Sequence, residues 1–232
     1  MTAWRNNVFT VSSHESAGAM KEAQSPQSIV YVVDDDASVR NSLSNLFRSV
    51  DLTVEVFESP ARFLRRRLAG VPSCIVLDIR MPGSSGLDFQ TELSSLGIEI
   101  PVVFLTAHGD VKMSVQAMKA GAIDFITKPY REQEILDAVA AALERDRKRR
   151  EADATALDIR LRFEKLSNRE QEIMALVTSG MMNKQAAAEA GISETTVKIP
   201  RGNVMQKMRA QSFADLVRMA DTLQIRREKA HR

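Results

Sequence analysis

Apolar residues along the chain fall into five short runs, separated by segments with helical spacing. The runs occupy Ile29–Val33, Thr53–Phe57, 74–77, 102–105 and Asp124–Thr127, and the helical segments occupy 39–50, 61–68, 87–96, 111–120 and 133–143. Strands that alternate with helices predict parallel β-α-β units. Because the runs are apolar nearly throughout, we expect helices on both faces of a doubly wound, five-stranded parallel α/β sheet.

The pattern after residue 165 is helical only. Ser167 precedes Glu170 by three residues, the spacing of a capping box, and an apolar helix face follows up to Gly180. Further helices are predicted at 183–190, from residue 193 onward and at 212–223. Two helices joined by a short turn that contains glycine are typical of a helix-turn-helix, so we expect a small all-α domain here.

Composition and charge divide the 232 residues into four parts. Residues 1–27 are polar and predict a disordered tail, 28–143 form the α/β domain, 144–165 carry mixed charge and predict a solvated linker helix, and 166–232 form the helical domain. Residues 1–143 hold 13 Lys and Arg against 17 Asp and Glu, a net charge of −4, whereas residues 144–232 hold 19 against 13, a net charge of +6. The basic part favours nucleic acid as a partner, although chance segregation of charge explains a difference of this size equally well.

Several classes of protein are excluded by what the sequence lacks. A single cysteine, Cys74, excludes a disulfide framework and a multi-cysteine zinc site. No stretch of about 18 apolar residues predicts a membrane span, and residues 1–27 do not resemble a signal peptide. We therefore expect a protein of the reducing cytoplasm without a membrane partner.

Polar side chains follow the strands at the edge where open α/β sheets place their chemistry. Asp34 and Asp35 follow the first strand, Asp78 the third, Thr106 the fourth and Lys128 the fifth. If the first, third and fourth strands are neighbours, three carboxylates converge, and Mg²⁺ suits such a set of oxygen ligands that also takes phosphate. The pattern predicts that Asp78 attacks a phosphoryl group whose oxygens Thr106 and Lys128 stabilise. Taken singly, each aspartate could instead cap the helix that follows it.

Several segments together carry a family resemblance. Val-Val-Asp34-Asp35-Asp, Val-Leu-Asp78-Ile-Arg-Met-Pro-Gly, Phe-Leu-Thr106-Ala-His-Gly and Ile-Thr-Lys128-Pro resemble the receiver domain of two-component response regulators. The stretch 166–223, with Asn-Lys184-Gln and Ser-Glu-Thr195-Thr196-Val-Lys198, resembles the LuxR-type helix-turn-helix. The combination resembles the FixJ/NarL branch of the response regulators.

The receiver resemblance implies a flavodoxin-like fold with a phosphate acceptor and a metal site. Asp78 would accept phosphate from a sensor histidine kinase. Asp34, Asp35 and Asp78 would hold Mg²⁺ together with the backbone carbonyl of Arg80. Asp78 would therefore serve both as the acceptor and as a ligand of the ion.

The same resemblance implies a switch on the fourth and fifth strands. Thr106 and Lys128 would bind the phosphoryl oxygens, and the peptide bond between Lys128 and Pro129 would be cis. Phe125 would be the aromatic residue that turns inward when Thr106 moves, although an ordinary core aromatic explains its position almost as well. Phosphorylation would then produce a homodimer and release the DNA-binding domain.

Two other classes fit these residues less well. Phosphohydrolases of the haloacid-dehalogenase type use a second Asp two residues after the nucleophile, and here that residue is Arg80, which neither donates nor accepts a proton usefully. The turn after the first strand contains no glycine-rich phosphate loop. We therefore expect a self-phosphorylating acceptor that can also lose its own phosphate, rather than a turnover enzyme.

The helix from residue 193 onward would enter the major groove of double-stranded promoter DNA. The family resemblance gives the base-facing positions to Lys198, Ile199 and Gly202. Of the remaining residues, Thr195, Thr196, Arg201 and Asn203 lie within reach of the DNA, and Lys184, Arg201 and Lys207 are expected on phosphates. RNA polymerase is a further candidate partner at such a promoter.

Pro200 does not fit the interior of this helix. It removes the hydrogen bond to the carbonyl of Thr196 and costs about 3 kcal/mol or more in an ordinary helix. Three outcomes stay open: a kinked helix that still docks, a helix that begins later, and weakened DNA binding. The sequence thus predicts a phosphorylation-dependent transcriptional regulator, and the alternative is a response regulator that has lost specific DNA binding and acts through protein partners.

Overall fold

The computed structural model describes residues 28–107, 110–180 and 194–225, with the backbone alone at 84 and 194–200. The predicted tail at 1–27 and the predicted short helix at 183–190 lie outside these residues. Within the described ranges, none of the helices has the length and apolarity that crossing a bilayer requires.

Five strands form the parallel sheet that the sequence predicts. Together with a short antiparallel pair, the strands are β1 (Ile29–Val33), β2 (Thr53–Phe57), β3 (Ser73–Leu77), β4 (Arg80–Met81), β5 (Ser84–Ser85), β6 (Val102–Thr106) and β7 (Asp124–Thr127). The spatial order of the sheet is β2-β1-β3-β6-β7, and β4 pairs with β5. The first, third and fourth strands of the sheet are therefore neighbours, which meets the condition for the three carboxylates to converge.

Helices cover both faces of the sheet, so the predicted doubly wound fold is confirmed. They are α1 (Ala37–Ser49), α2 (Pro60–Leu64), α3 (Gly86–Ser95), α4 (Val111–Lys119) and α5 (Glu132–Glu164). Successive side chains of β1 point to opposite faces. Tyr31 belongs to one core with Phe89 of α3, and Val32 belongs to the other with Phe47 of α1 and Val139 of α5.

Helix α2 ends at Leu64, before the predicted end at residue 68. The backbone N–H of Arg66 donates to the carbonyl of Phe63 at 2.9 Å, and the Arg66 side chain turns to Glu55 on β2. Leu68 is partly buried against the same core as Phe63. Its apolar character therefore reflects packing outside the helix.

Helix α5 is one continuous element of 33 residues that runs through the charged stretch after residue 143. Its first part buries Val139 against the sheet, and its last part buries Ile159 in the core of the helical domain. The prediction of a solvated face is wrong at Asp146, which is fully buried. This carboxylate accepts a hydrogen bond from the backbone N–H of Ser73 at 2.9 Å and pairs with two arginines, which replace the water that it loses.

The helical domain contains, in the part of the chain that the structure describes, α6 (Asn168–Thr178), α7 (Glu194–Met208) and α8 (Phe213–Thr222). The predicted capping box is confirmed at Ser167 and Glu170, and Gly180 follows α6 with a φ of +84°. All three helices contribute buried side chains to one core, among them Ile173, Val204 and Leu216. Helix α7 begins at Glu194 and includes Pro200, so it does not begin later as one of the three outcomes supposed.

Candidate functional site

Three carboxylates meet at the edge of the sheet where β1 and β3 end. Asp34 and Asp35 follow β1, Asp78 follows β3, and the backbone N–H of Asp78 donates to the carbonyl of Val33 at 2.9 Å. One oxygen from each carboxylate lies within 4.8 Å of the others. Asp34 is buried, Asp78 is half-buried and Asp35 is exposed, so the group is open to solvent on one side.

Lys128 brings a positive charge to this group. Its Nζ lies 2.9 Å from Oδ2 of Asp34, and the two side chains are only 19% and 4% exposed. The backbone N–H of Lys128 donates to the carbonyl of Thr106 at 2.8 Å, because β6 and β7 are parallel neighbours. The peptide bond between Lys128 and Pro129 is cis, as predicted. The ion pair joins the ends of β1 and β7 across the site.

The Asp78 carboxylate is held by its own loop and by Thr106. Its Oδ1 accepts hydrogen bonds from the backbone N–H groups of Ile79 at 2.7 Å and Arg80 at 3.4 Å, and its side chain is also hydrogen-bonded to that of Thr106. Burial raises the pKa of Asp78, while the positive charge of Lys128 opposes this rise and the negative charge of Asp34 adds to it. Burial, more than the neighbouring charges, therefore sets the direction in which the pKa of Asp78 is shifted.

The donor set fits Mg²⁺. Carboxylate oxygens are the hard ligands that this ion takes, and it commonly uses one or two of them beside phosphate oxygens and water. Lys128 offsets one of the three negative charges of Asp34, Asp35 and Asp78, so a divalent cation would offset the other two. The acidic cluster is thus suited to a divalent ion both in its atoms and in its charge.

Phe125, the predicted switch residue, lies on β7 beside Phe104 of β6. Their ring centroids are 6.3 Å apart, and Phe125 is partly buried against the core that contains Phe104. The position suits an aromatic side chain that moves and equally one that simply packs.

The residues predicted to face DNA lie on α7. Thr195, Thr196, Lys198 and Ile199 belong to its first part, where the structure describes the backbone alone, and Lys184 lies outside the described residues. Gly202 and Asn203 are exposed. These two residues therefore present an open surface in the middle of the helix.

Two predicted phosphate contacts of α7 have partners within the domain. The guanidinium of Arg201 lies 4.8 Å from the centroid of the Phe213 ring on α8. Nζ of Lys207 lies 2.8 Å from Oε2 of Glu170 on α6. The hydrogen bond from Lys207, followed by those from Ser167, lowers the pKa of Glu170. Both cations thus hold α7 against its neighbouring helices.

Comparison with known proteins gives the same two domains. The model of the response regulator receiver domain matches residues 30–140, and that of bacterial regulatory proteins of the LuxR family matches residues 164–220. Nodulation protein W of Bradyrhizobium diazoefficiens is 59% identical over 201 residues, which cover 87% of this chain and 88% of that protein. The chain is a response regulator. It belongs to the branch that joins a receiver to a LuxR-type domain.

Two solved structures support this assignment. The structure of response regulator StyR has a TM-score of 0.73 and 47% identity, and the match covers 84% of this chain and 98% of that chain. Full-length FixJ from B. japonicum has a TM-score of 0.53 and 35% identity, with coverage of 88% and 100%. This response regulator is accordingly a phosphorylation-dependent transcriptional regulator and belongs to a family of regulators rather than of typical enzymes. Its receiver implies a histidine kinase partner, and its LuxR-type domain implies DNA.

Sequence reasoning missed two residues that support the site of this response regulator. Gly86 lies so close to the loop after β3 that a Cβ atom would be 2.3 Å from the carbonyl oxygen of Asp78, and its N–H donates to the carbonyl of Ile79 at 2.8 Å. Arg40 of α1 donates from Nη1 to the carbonyl of Asp34 at 2.7 Å. The position of Gly86 at the start of a predicted helix is a feature of the sequence that could have identified it. Nothing in the sequence distinguishes Arg40 from other surface arginines.

Proposed function

We propose that this response regulator takes a phosphoryl group from a sensor histidine kinase onto Asp78, and that phosphorylation switches DNA binding by the C-terminal domain. The observation that carries the proposal is the convergence of three carboxylates with Lys128 and Thr106 at one edge of the sheet. Helix capping alone does not require an ammonium group and a hydroxyl group at the same place.

The carboxylate of Asp78 would attack the phosphorus atom of a phosphohistidine. An O–P bond forms and the P–N bond breaks, and the leaving imidazole keeps the electron pair and takes up a proton. The ammonium group of Lys128 and the hydroxyl group of Thr106 stabilise the charge on the phosphoryl oxygens. Attack of water on the same phosphorus would release phosphate and return the protein to its resting state.

Asp34, Asp35 and Asp78 would hold Mg²⁺ together with the backbone carbonyl of Arg80. When bound, this ion offsets the negative charge that the carboxylates and the phosphoryl group bring together. Lys128 supplies the remaining positive charge.

Phosphorylation would change the surface formed by α4, β7 and the first part of α5. Thr106 leaves its hydrogen bond with Asp78 for a phosphoryl oxygen, and Phe125 moves into the space beside it. Large apolar side chains on α4 support an interface there, because Val111, Val115 and Met118 are 81%, 47% and 47% exposed. The receiver would dimerise through this surface and release the helical domain.

Helix α7 would then read promoter DNA in the major groove. Lys198, Ile199 and Gly202 face the bases in this proposal, Thr195, Thr196, Arg201 and Asn203 lie within reach of the DNA, and Lys184, Arg201 and Lys207 contact phosphates. Helix α7 runs through Pro200, so the element that would enter the groove is present. RNA polymerase would be the next partner at the promoter, and the cytoplasm would be the compartment.

Acetyl phosphate with Mg²⁺ tests the acceptor in the full-length protein. We expect intact-mass spectrometry to show one added phosphoryl group per chain, and none in Asp78→Asn, where a neutral amide replaces the nucleophile. Removal of Mg²⁺ with a chelator should prevent the addition. Equal phosphorylation of the wild type and Asp78→Asn would contradict the assignment.

A second candidate function is a response regulator that accepts phosphate but acts through protein partners. Pro200 favours it, because a proline at this place leaves the carbonyl of Thr196 without its helical donor. Selection from random duplex DNA, using the phosphorylated full-length protein, separates the two candidates. Enrichment of one sequence by the wild type supports the first. Enrichment by Pro200→His alone supports the second.

A further inference from the structure

A groove lies between the edge strand β2 and helix α2, beside the phosphorylation site. It has a volume of about 480 Å³, and its lining includes Val56, Phe57, Arg40, Arg62, Arg65 and Arg66. We call it the arginine groove. We propose that the arginine groove binds an acidic segment of a partner protein, with an apolar side chain of that segment seated on its floor.

The charge of the groove is opposite to that of the domain around it. Residues 1–143 have a net charge of −4, with 13 Lys and Arg against 17 Asp and Glu. The groove nevertheless brings four arginines together with one carboxylate, Glu58, and the exposed Arg67 follows in the sequence. An acidic ligand would therefore be attracted to this place and repelled by much of the remaining receiver surface.

Two of the guanidinium groups are already held in position. Arg66 binds Glu55 through Nε at 2.7 Å and Nη2 at 2.8 Å, and Arg62 binds Glu58 through Nε at 3.1 Å. A guanidinium has five N–H donors, so each of these groups keeps donors for a ligand. Because the side chains are oriented in advance, less conformational entropy is lost when a carboxylate binds.

Arg65 provides the free positive charge. It is exposed and makes no ion pair with any residue in the described ranges. A carboxylate at this place gains a charge-assisted hydrogen bond without breaking an existing pair.

The floor of the groove favours a peptide over nucleic acid. Val56 is 43% exposed, so an apolar side chain of the ligand could cover it, whereas Phe57 points to the opposite face of β2 and packs on Phe63. Glu55 and Glu58 lie among the arginines and would repel a continuous row of phosphates. A segment of alternating acidic and apolar residues matches both the charge and the floor, whereas a DNA backbone has no apolar side chain to cover the floor.

The groove also touches the phosphorylation site. Arg40, one of its lining residues, donates from Nη1 to the carbonyl of Asp34 at 2.7 Å, and the backbone N–H of Asp34 donates to the carbonyl of Phe57 at 3.2 Å. A segment bound in the groove would thus lie beside the carboxylates without covering the surface of α4.

Fluorescence anisotropy with a labelled peptide of alternating Glu and Leu tests the proposal on the full-length protein. We expect Arg65→Glu to weaken binding about tenfold or more, and Val56→Ser about threefold. The matched control is Arg48→Glu, which replaces another exposed arginine, in the last turn of α1, and should change affinity by less than about twofold. Thermal unfolding checks that all three variants fold.

Three results would overturn the proposal. One is an equal effect of Arg65→Glu and Arg48→Glu, which would mean that the peptide responds to net charge alone. Another is equal binding of a peptide with Lys in place of Glu. The third is a loss of duplex DNA binding in Arg65→Glu as large as its loss of peptide binding, which would make the groove a nucleic-acid surface.

Discussion

The receiver and the helical domain each contain a lysine–carboxylate pair that joins two elements, and the two pairs differ in burial. Lys128 lies 2.9 Å from Asp34 in the receiver, and Lys207 lies 2.8 Å from Glu170 in the helical domain. The lysine side chain is 19% exposed in the first pair and 47% exposed in the second. The two pairs therefore differ in energy although their distances are similar, because water screens the second pair and is largely excluded from the first.

Asp146 provides a third ion pair for this comparison, one in which the carboxylate is fully buried. Its side chain is 0% exposed, and its arginine partners Arg149 and Arg150 are 31% and 28% exposed. It holds the backbone N–H of Ser73, the first residue of β3, so it fixes α5 against the strand that ends just before Asp78. If burial sets the energy of such contacts, the effect of removing one member should fall in the order Asp146, Lys128, Lys207.

Asp146→Ala should have the largest effect. It leaves the buried N–H of Ser73 without a partner and two arginines without their carboxylate, so we expect the free energy of unfolding to fall by about 3 kcal/mol. Urea denaturation, monitored by circular dichroism, measures this free energy. The matched control is Asp153→Ala, which removes a 63% exposed partner of Arg149 on the same helix and should cost less than about 0.5 kcal/mol. Equal losses in both variants would show that burial does not govern these pairs.

The exposed and the buried charged residues also differ in how well the sequence predicts them. Strand ends and the capping box at Ser167 follow from local patterns, and the parallel topology brings the strand ends together, whereas the cis bond before Pro129 is implied by the family resemblance. Asp146 lies in a run of charged residues that has the composition of a solvated face. Only the packing of α5 on the start of β3 shows that it is buried, and such a long-range contact leaves no periodic signal.

The arginine groove and Gly86 were missed for related reasons. The run of arginines after Phe63 indicates a solvent-exposed segment. The sequence does not show that one of these arginines pairs with Glu55 of β2. Position 86 needs a glycine because the loop that follows β3 packs directly against its Cα atom. In both places the chemistry depends on a contact between two elements that the pattern of either one alone does not show, whereas the phosphate site depends on a topological rule.

Lys128→Met should have an intermediate effect. It leaves Asp34 buried without its cation, beside two further carboxylates, so we expect the unfolding free energy to fall by about 2 kcal/mol in the presence of a chelator. Addition of Mg²⁺ should recover part of the loss, because the ion would offset the uncompensated charge.

The matched control for Lys128→Met is Lys119→Met, an exposed lysine on α4. We expect it to change stability by less than about 0.5 kcal/mol with or without Mg²⁺. A Mg²⁺-dependent recovery in Lys119→Met would show that the ion acts elsewhere on the protein. No recovery in Lys128→Met would argue against a divalent ion in the acidic cluster.

Lys207→Met should have the smallest effect and one that depends on pH. Lys207 lowers the pKa of Glu170, so the charged carboxylate stabilises the fold above its ordinary pKa of about 4.3, and this contribution is lost as the pH falls through the lower folded pKa. We expect the variant to lose about 1 kcal/mol at pH 7 and to approach the wild type as the pH falls below the folded pKa of Glu170. Thermal unfolding of both proteins from pH 7 downward measures the difference. The control for a simple change of charge is the exposed pair of Lys148 and Glu144 on α5. A difference that persists at low pH would mean that Lys207 acts through the packing of its aliphatic chain, and the comparison with Lys128 would then concern shape rather than charge.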